Sequence, residues 1–143
     1  FRFISLFFDF SGYSSVAIGS AALFGIKLPE NFDKPFLATN IKEFWRRWHM
    51  SMSNFIGTYI YKPYVRLTNN KRLGIFIAFI FAGLWHEVSL RFLIWGIGHG
   101  TCMAVTIKNS SKTKKYWLIN RILSYLLTFN IVTFLSAIAT GYI

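Results

Sequence analysis

The sequence predicts an all-α, polytopic transmembrane helical bundle carrying one interfacial or re-entrant helix. Three observations lead there. Of the 143 residues, 54% are hydrophobic and 20% aromatic, and the mean hydropathy is +0.42. A soluble domain of this size has too little interior to hide so much apolar surface, whereas a bilayer accepts it as solvent. The apolar residues also fall in runs long enough to cross a hydrocarbon core, which takes about 20 residues of helix. Finally, 11 of the 16 Lys and Arg residues, which with the five Asp and Glu give a formal charge of +11, gather in short clusters between those runs.

The clusters are Lys42, Arg46 and Arg47; Lys62, Arg66, Lys71 and Arg72; and Lys108, Lys112, Lys114 and Lys115. Such spacing fits cytoplasmic loops of a multi-pass protein of the inner membrane. It does not fit a nucleic-acid binder, which needs a polar scaffold to display a basic face. The lone Cys102 excludes an intrachain disulfide framework and lies among small apolar residues, as a packed thiol does. No signal peptide is recognisable. Phe1 stands where Met would begin a chain, and both ends fall inside apolar segments, so the sequence reads as a fragment.

The first predicted span covers about residues 3–24, with Asp9 as its charge; an acid there should face protein, water or nearby hydroxyls. Residues 25–39, with Pro29, Glu30, Asn31, Asp33 and Pro35, have the chemistry of an ordered loop. Asn40 followed by Glu43 matches a capping box. From there to Tyr61 the sequence predicts an amphipathic helix or two short pieces. Phe44, Trp48, Met52, Phe55 and Tyr59 recur at spacings of three and four, and Gly57 and Pro63 weaken the far end.

The next apolar stretch, residues 73–106, would be about 50 Å long as one helix, too much for a ~30 Å core. Two short legs with a turn near Glu87–Arg91 fit better, and place the basic loops before and after them on one side. Glu87 and Arg91 have the spacing of an ion pair. The last span covers residues 117–140, with Arg121 able to snorkel. The Lys108–Lys115 stretch reads as a solvated loop.

His49, His86 and His99 stand out in apolar surroundings. An imidazole titrates near neutrality and serves as a general base, but it also serves as a buried hydrogen-bonding group. His86 is preceded on its helix by Ala78, Ala82 and Gly83, a small-residue strip that admits a second helix or a substrate. Trp85 suits either a passage wall or an aromatic belt. His99 lies between Gly96 and Gly100, whose spacing favours close helix packing. His49 falls on one predicted helical side with Arg46 and Ser53. Arg46 suits the phosphate or carboxylate of an acyl-donor thioester, and equally a lipid headgroup. No metal signature, phosphate loop or nucleophile elbow is present. Histidine count alone would support haem ligation.

Several segments, taken in order, resemble a known family. They are Asp9–Phe10–Ser11–Gly12–Tyr13–Ser14, Pro29–Glu30–Asn31–Phe32 and Pro35–Phe36–Leu37. Phe44–Trp45–Arg46–Arg47–Trp48–His49, Gly83–Leu84–Trp85–His86, Trp95–Gly96 and His99–Gly100 follow. Over about residues 3–105 the chain resembles the bacterial branch of the membrane-bound O-acyltransferase family, which includes alginate O-acetylases and the D-alanyl transfer proteins of teichoic acid.

The resemblance implies a helical bundle around a narrow tunnel, with donor arriving from the cytoplasmic side and acceptor from the other. It implies His86 as general base, with His49 assisting or positioning the donor. No bound cofactor is implied: the acyl donor, acetyl-CoA or an acyl-carrier thioester, is a co-substrate. The implied acceptor is a hydroxyl of an envelope polysaccharide, acetyl being the favoured acyl group, or teichoic acid in the D-alanyl case. Membrane lipid and a further periplasmic or extracellular acyltransferase are the implied partners.

The family's N-terminal helices are absent, so residues 1–143 read as a single partial domain. Glu87 replaces the family's usual glycine. Gly57–Thr58 and Lys62–Pro63–Tyr64–Val65 stand where many relatives carry Arg-Asp and Pro-Leu-Gly-Gly. From another class, a membrane transporter or lipid-handling protein accounts for the same hydrophobicity and histidines.

Overall fold

The computed structural model describes residues 2–106 and 117–141, with the backbone alone at 117–121. All regular structure among the described residues is helical, in the order α1 (Arg2–Leu23), α2 (Ile41–Arg47), α3 (Met50–Ile56), α4 (Lys62–Thr68), α5 (Lys71–His86), α6 (Leu90–Thr106) and α7 (Trp117–Ala139). The Lys108–Lys115 stretch and the Arg121 side chain lie outside the described residues.

The long apolar stretch divides as its length requires. α5 starts at Asn70, whose side-chain oxygen accepts from the Leu73 amide at 3.0 Å. It stops at His86, where Glu87 turns extended. Ser89 then caps α6, its hydroxyl accepting from the Phe92 amide at 3.4 Å. The legs have 16 and 17 residues. At 1.5 Å per residue each is about 24–26 Å long, short of a ~30 Å hydrocarbon core. Of the described helices, α7 holds the segment long and apolar enough to cross a membrane by composition, Ile122–Ala139. Glu87 and Arg91 form no ion pair: the chain bends between them, and the Arg91 guanidinium lies over Gly141.

Glycine sets the distance between α5 and α6. A Cβ at Gly96 would sit 2.6 Å from the Phe79 carbonyl oxygen, and one at Gly83 would strike the carbonyl of Phe92. At Gly100 it would meet Phe76 at 3.2 Å. Backbone therefore touches backbone along this pair, as the small-residue spacing predicts. α7 packs on the other side of α6, where the Leu135 side chain fills the space over Gly98.

Aromatic rings bind the first half together. Phe3 of α1 stacks on Trp48 at 5.0 Å, and Phe7 meets Phe36 edge-on at 4.8 Å. Phe32, in the loop between α1 and α2, meets Trp48 edge-on at 5.1 Å. Ring pairs of this geometry add about 0.5–1.5 kcal/mol each beyond burial. The outer surface remains apolar, with Phe8, Val16, Leu23, Leu67 and Leu127 exposed.

Beyond α3 the helix does not fail at Gly57 and Pro63 as the sequence suggests. One wide π-turn over Gly57–Tyr61 leads directly into α4, with Pro63 in its first turn. Pro63 cannot donate to the preceding turn, and the wider π-turn just before it accommodates both the missing bond and the ring. Phe55 and Tyr59, grouped by periodicity with the buried Phe44, Trp48 and Met52, are exposed.

Replacing Gly96 with valine should force α5 and α6 apart, at a cost of about 1–3 kcal/mol from overpacking. Thermal unfolding of the detergent-solubilised intact protein should show a lower midpoint. An unchanged midpoint would mean the close approach contributes nothing.

Candidate functional site

The helix beginning at Ile41 is broken after two turns. Asn40 caps it, its side chain accepting from the Glu43 amide at 2.8 Å. Glu43 reaches back one residue further than a standard capping box, accepting from both the Thr39 amide and the Thr39 hydroxyl at 3.0 Å. Its other oxygen accepts from Arg47 at 2.7 Å. The Thr39 amide is the main influence holding the Glu43 carboxyl below its ordinary pKa of 4.5. The Thr39 hydroxyl and Arg47 add to it, against opposition from burial.

At Trp48 the backbone becomes extended, and His49 takes the left-handed conformation, φ 43° and ψ 57°. A residue with a Cβ pays about 1–2 kcal/mol for that conformation, so the surroundings must hold it. Asn31 supplies much of the restraint. Its backbone oxygen accepts from the Met50 amide at 2.9 Å. Its side-chain oxygen accepts from the Ser51 amide at 3.3 Å and the Ser51 hydroxyl at 2.6 Å. Its amide nitrogen donates to Ser14 of α1 at 3.2 Å. On the other flank, the Asp33 amide donates to the carbonyl of Arg47 at 3.0 Å.

The break redirects His49. Its half-buried ring meets Phe10 edge-on at 4.6 Å and lies 6.5 Å from the ring of Trp85. Trp85 is in turn 5.0 Å from His86. His86, the last residue of α5, is exposed on one side and flanked by Phe92 at 5.6 Å and Trp95 at 5.9 Å. The two histidines singled out from sequence thus converge at the Glu87 end of the α5–α6 pair. Trp85 stands between them, 59% exposed.

The predicted common side for Arg46, His49 and Ser53 does not form, because the helix is interrupted between them. Arg46 and Ser53 instead line an open cleft of about 1020 Å³ between the α2–α3 region and α5. Met52, Ile56, Ala78, Phe79 and Ala82 supply its apolar wall, and Lys42 and Lys71 join Arg46 as its cations. Neither His49 nor His86 lines it, but Ala82 lies one helical turn before His86. Asp9 accepts a long 3.5 Å hydrogen bond from Ser5.

His99 takes the packing role. It has no exposed surface and sits among Trp45, Phe79 and Trp95, at ring distances of 5.0, 6.1 and 4.7 Å. The Trp45 indole N–H donates to His99 Nδ1 at 3.3 Å, which places the proton of the neutral ring on Nε2. Nε2 is buried without a partner among the described residues. No group of three or more metal-ligating side chains occurs among the described residues.

The sequence reading missed Asn31, Ser51 and the Trp45 bond to His99. The turn-forming Pro29–Glu30–Asn31 stretch marks a structured loop but not its target, 20 residues further along.

The chain belongs to the membrane-bound O-acyltransferase family, whose model matches residues 2–143. It is similar to the peptidoglycan O-acetyltransferase of Helicobacter pylori, with 42% identity across 89% of this chain and 25% of that protein. It is 39% identical to the teichoic acid D-alanyltransferase of Bacillus subtilis, over 90% of this chain and 36% of the relative. A probable alginate O-acetylase of Pseudomonas syringae pv. tomato is 36% identical over 89% of this chain and 25% of its own length. The chain therefore spans about a quarter to a third of the length of these relatives.

The Glu43 carboxyl links pH to stability. With its folded pKa below the unfolded value, the unfolded chain takes up this proton first as pH falls. Its contribution is therefore present above the unfolded pKa and is lost as pH falls through the folded one. Comparing melting midpoints of the native and Glu43→Gln proteins should show the native one higher at neutral pH, with the gap closing in acid. A gap independent of pH would contradict the assignment.

Proposed function

We propose that the protein carrying this chain is a multi-pass enzyme of the cytoplasmic membrane that transfers an acyl group to a hydroxyl of a cell-envelope polymer. The observation that carries this reading is the convergence of His49 and His86 about Trp85 at one end of the α5–α6 pair. Relatives named for acetyl or D-alanyl transfer to peptidoglycan, teichoic acid and alginate support the substrate class.

In this reading the acceptor hydroxyl approaches the exposed side of His86. A ring nitrogen of His86 takes the hydroxyl proton as the oxygen attacks the donor's thioester carbonyl. The tetrahedral intermediate collapses by breaking the carbon–sulfur bond. The departing thiolate takes back a proton from the imidazolium, so His86 ends neutral and no acyl-enzyme forms. His49 shares the site with His86 and orients the donor at the reacting carbonyl.

The donor arrives along the cleft beside α5. Lys42, Arg46 and Lys71 offer charge to the phosphates of coenzyme A or of an acyl-carrier prosthetic arm. Past them, Met52, Ile56, Ala78 and Ala82 offer an apolar wall to the acyl chain. The cleft favours acetyl over D-alanyl. Among the described residues Glu43 is the acidic side chain in its lining, and Arg47 already engages it, so none of those residues offers a free carboxylate to an alanyl ammonium.

His86→Ala in the intact protein tests the reading. Removing a general base costs about 10²–10⁴-fold in rate, so acylation of the envelope polymer should fall by that order with membrane insertion normal. Acylation at the native rate would remove His86 as the base. Flux of an unmodified solute, with no covalent product, would identify a transporter instead.

A further inference from the structure

We infer that Asn31 is a positioning residue that aims His49 by capping, from a distance in sequence, the helix that His49 begins. The inference rests on the reading of His49 as part of the transfer site. His49 precedes α3 in a left-handed conformation, and its side chain caps none of the helix's free amides. Those amides still lack partners within the helix and take them from elsewhere. Asn31 provides them: its carbonyl takes the Met50 N–H and its side-chain oxygen the Ser51 N–H and hydroxyl.

The cap is itself anchored. The Asn31 amide nitrogen donates to Ser14, a buried residue of α1, so the loop cannot slide along the start of α3. Two residues on, the Asp33 amide holds the carbonyl of Arg47. Residues 31–33 therefore grip the chain on both sides of His49, and the ring can reach Phe10 and Trp85 only while they do. Without the grip, the least strained course is to continue α2 into α3, which removes the left-handed turn and sends His49 elsewhere.

The chemistry needed at position 31 is specific. The side chain must accept from Ser51 and hydrogen-bond Ser14 at once. Aspartate can do both, because the Ser14 hydroxyl can donate where it now accepts. Alanine can do neither, although its backbone carbonyl remains.

The test compares Asn31→Ala and Asn31→Asp in the intact protein, each with His49 present and with His49→Ala. Two readouts are taken: kcat and KM for acyl transfer, and the ring-proton NMR signals of His49 in histidine-labelled protein. Asn31→Ala should lower kcat about 10–100-fold, the scale of a misaimed group, with little change in KM. It should add no loss in the His49→Ala background, since both changes act through one ring. The His49 signals should lose the ring-current displacement imposed by Phe10, and Asn31→Asp should restore both rate and signals.

Equal loss with and without His49, or His49 signals that stay in place in Asn31→Ala, overturns the inference. If His49→Ala alone leaves acylation unchanged, the reading of His49 in the transfer site fails, while the NMR signals still decide whether Asn31 aims the ring. Should Asn31→Ala not insert, Ser51→Ala removes only the 2.6 Å bond and carries the same comparison with a smaller displacement.

Discussion

A helix that continued unbroken from Ile41 would place His49 on the same side as Arg46 and Ser53, against the cleft rather than against Trp85. The interruption at Trp48 and His49 prevents this, and the rest of the site depends on it. The left-handed turn is unfavourable for any residue with a side chain, so it persists only because other contacts are better satisfied with it than without it. Trp48 fills the aromatic cluster of Phe3, Phe32 and Phe44 from its extended position. Asn31 and Asp33 take up backbone groups on either side of the turn. Strain at one residue is thus held by packing and hydrogen bonds several residues wide.

The second half of the site depends on a different device. α5 and α6 meet backbone to backbone, and this closeness brings Trp95 alongside both His86 and His99. His99 is sealed and bonded to the Trp45 indole, which ties α2 to α6. The three histidines therefore divide their labour by access. One is an internal tie between helices, and the other two reach the edge of the bundle.

Much of this was legible in the sequence because the signals are local. The split of residues 73–106 follows from length alone, and the Asn40 cap from its spacing to Glu43. The packing of His99 follows from the glycines beside it. The interruption at His49 was not legible. Phe44, Trp48 and Met52 keep helical periodicity through it, and neither glycine nor proline marks the turn. Part of what holds it is Asn31, which bonds to Ser51 across 20 residues of sequence, beyond the reach of any periodic pattern. For the same reason Arg46 and His49 read as neighbours on one side and fold apart. The Glu87–Arg91 spacing misled similarly, since i, i+4 proximity holds only where the helix is continuous.

That His49 and His86 form one accessible site, with His99 outside it, is the central claim. Its most direct test is carbethoxylation of the membrane-embedded intact protein by diethyl pyrocarbonate, with the modified histidines located by peptide mass spectrometry. The account predicts that His49 and His86 react, that His99 does not, and that a non-hydrolysable acyl-thioester analogue protects the first two together. Modification of His99 at a comparable rate, or protection of one of the pair without the other, would contradict it.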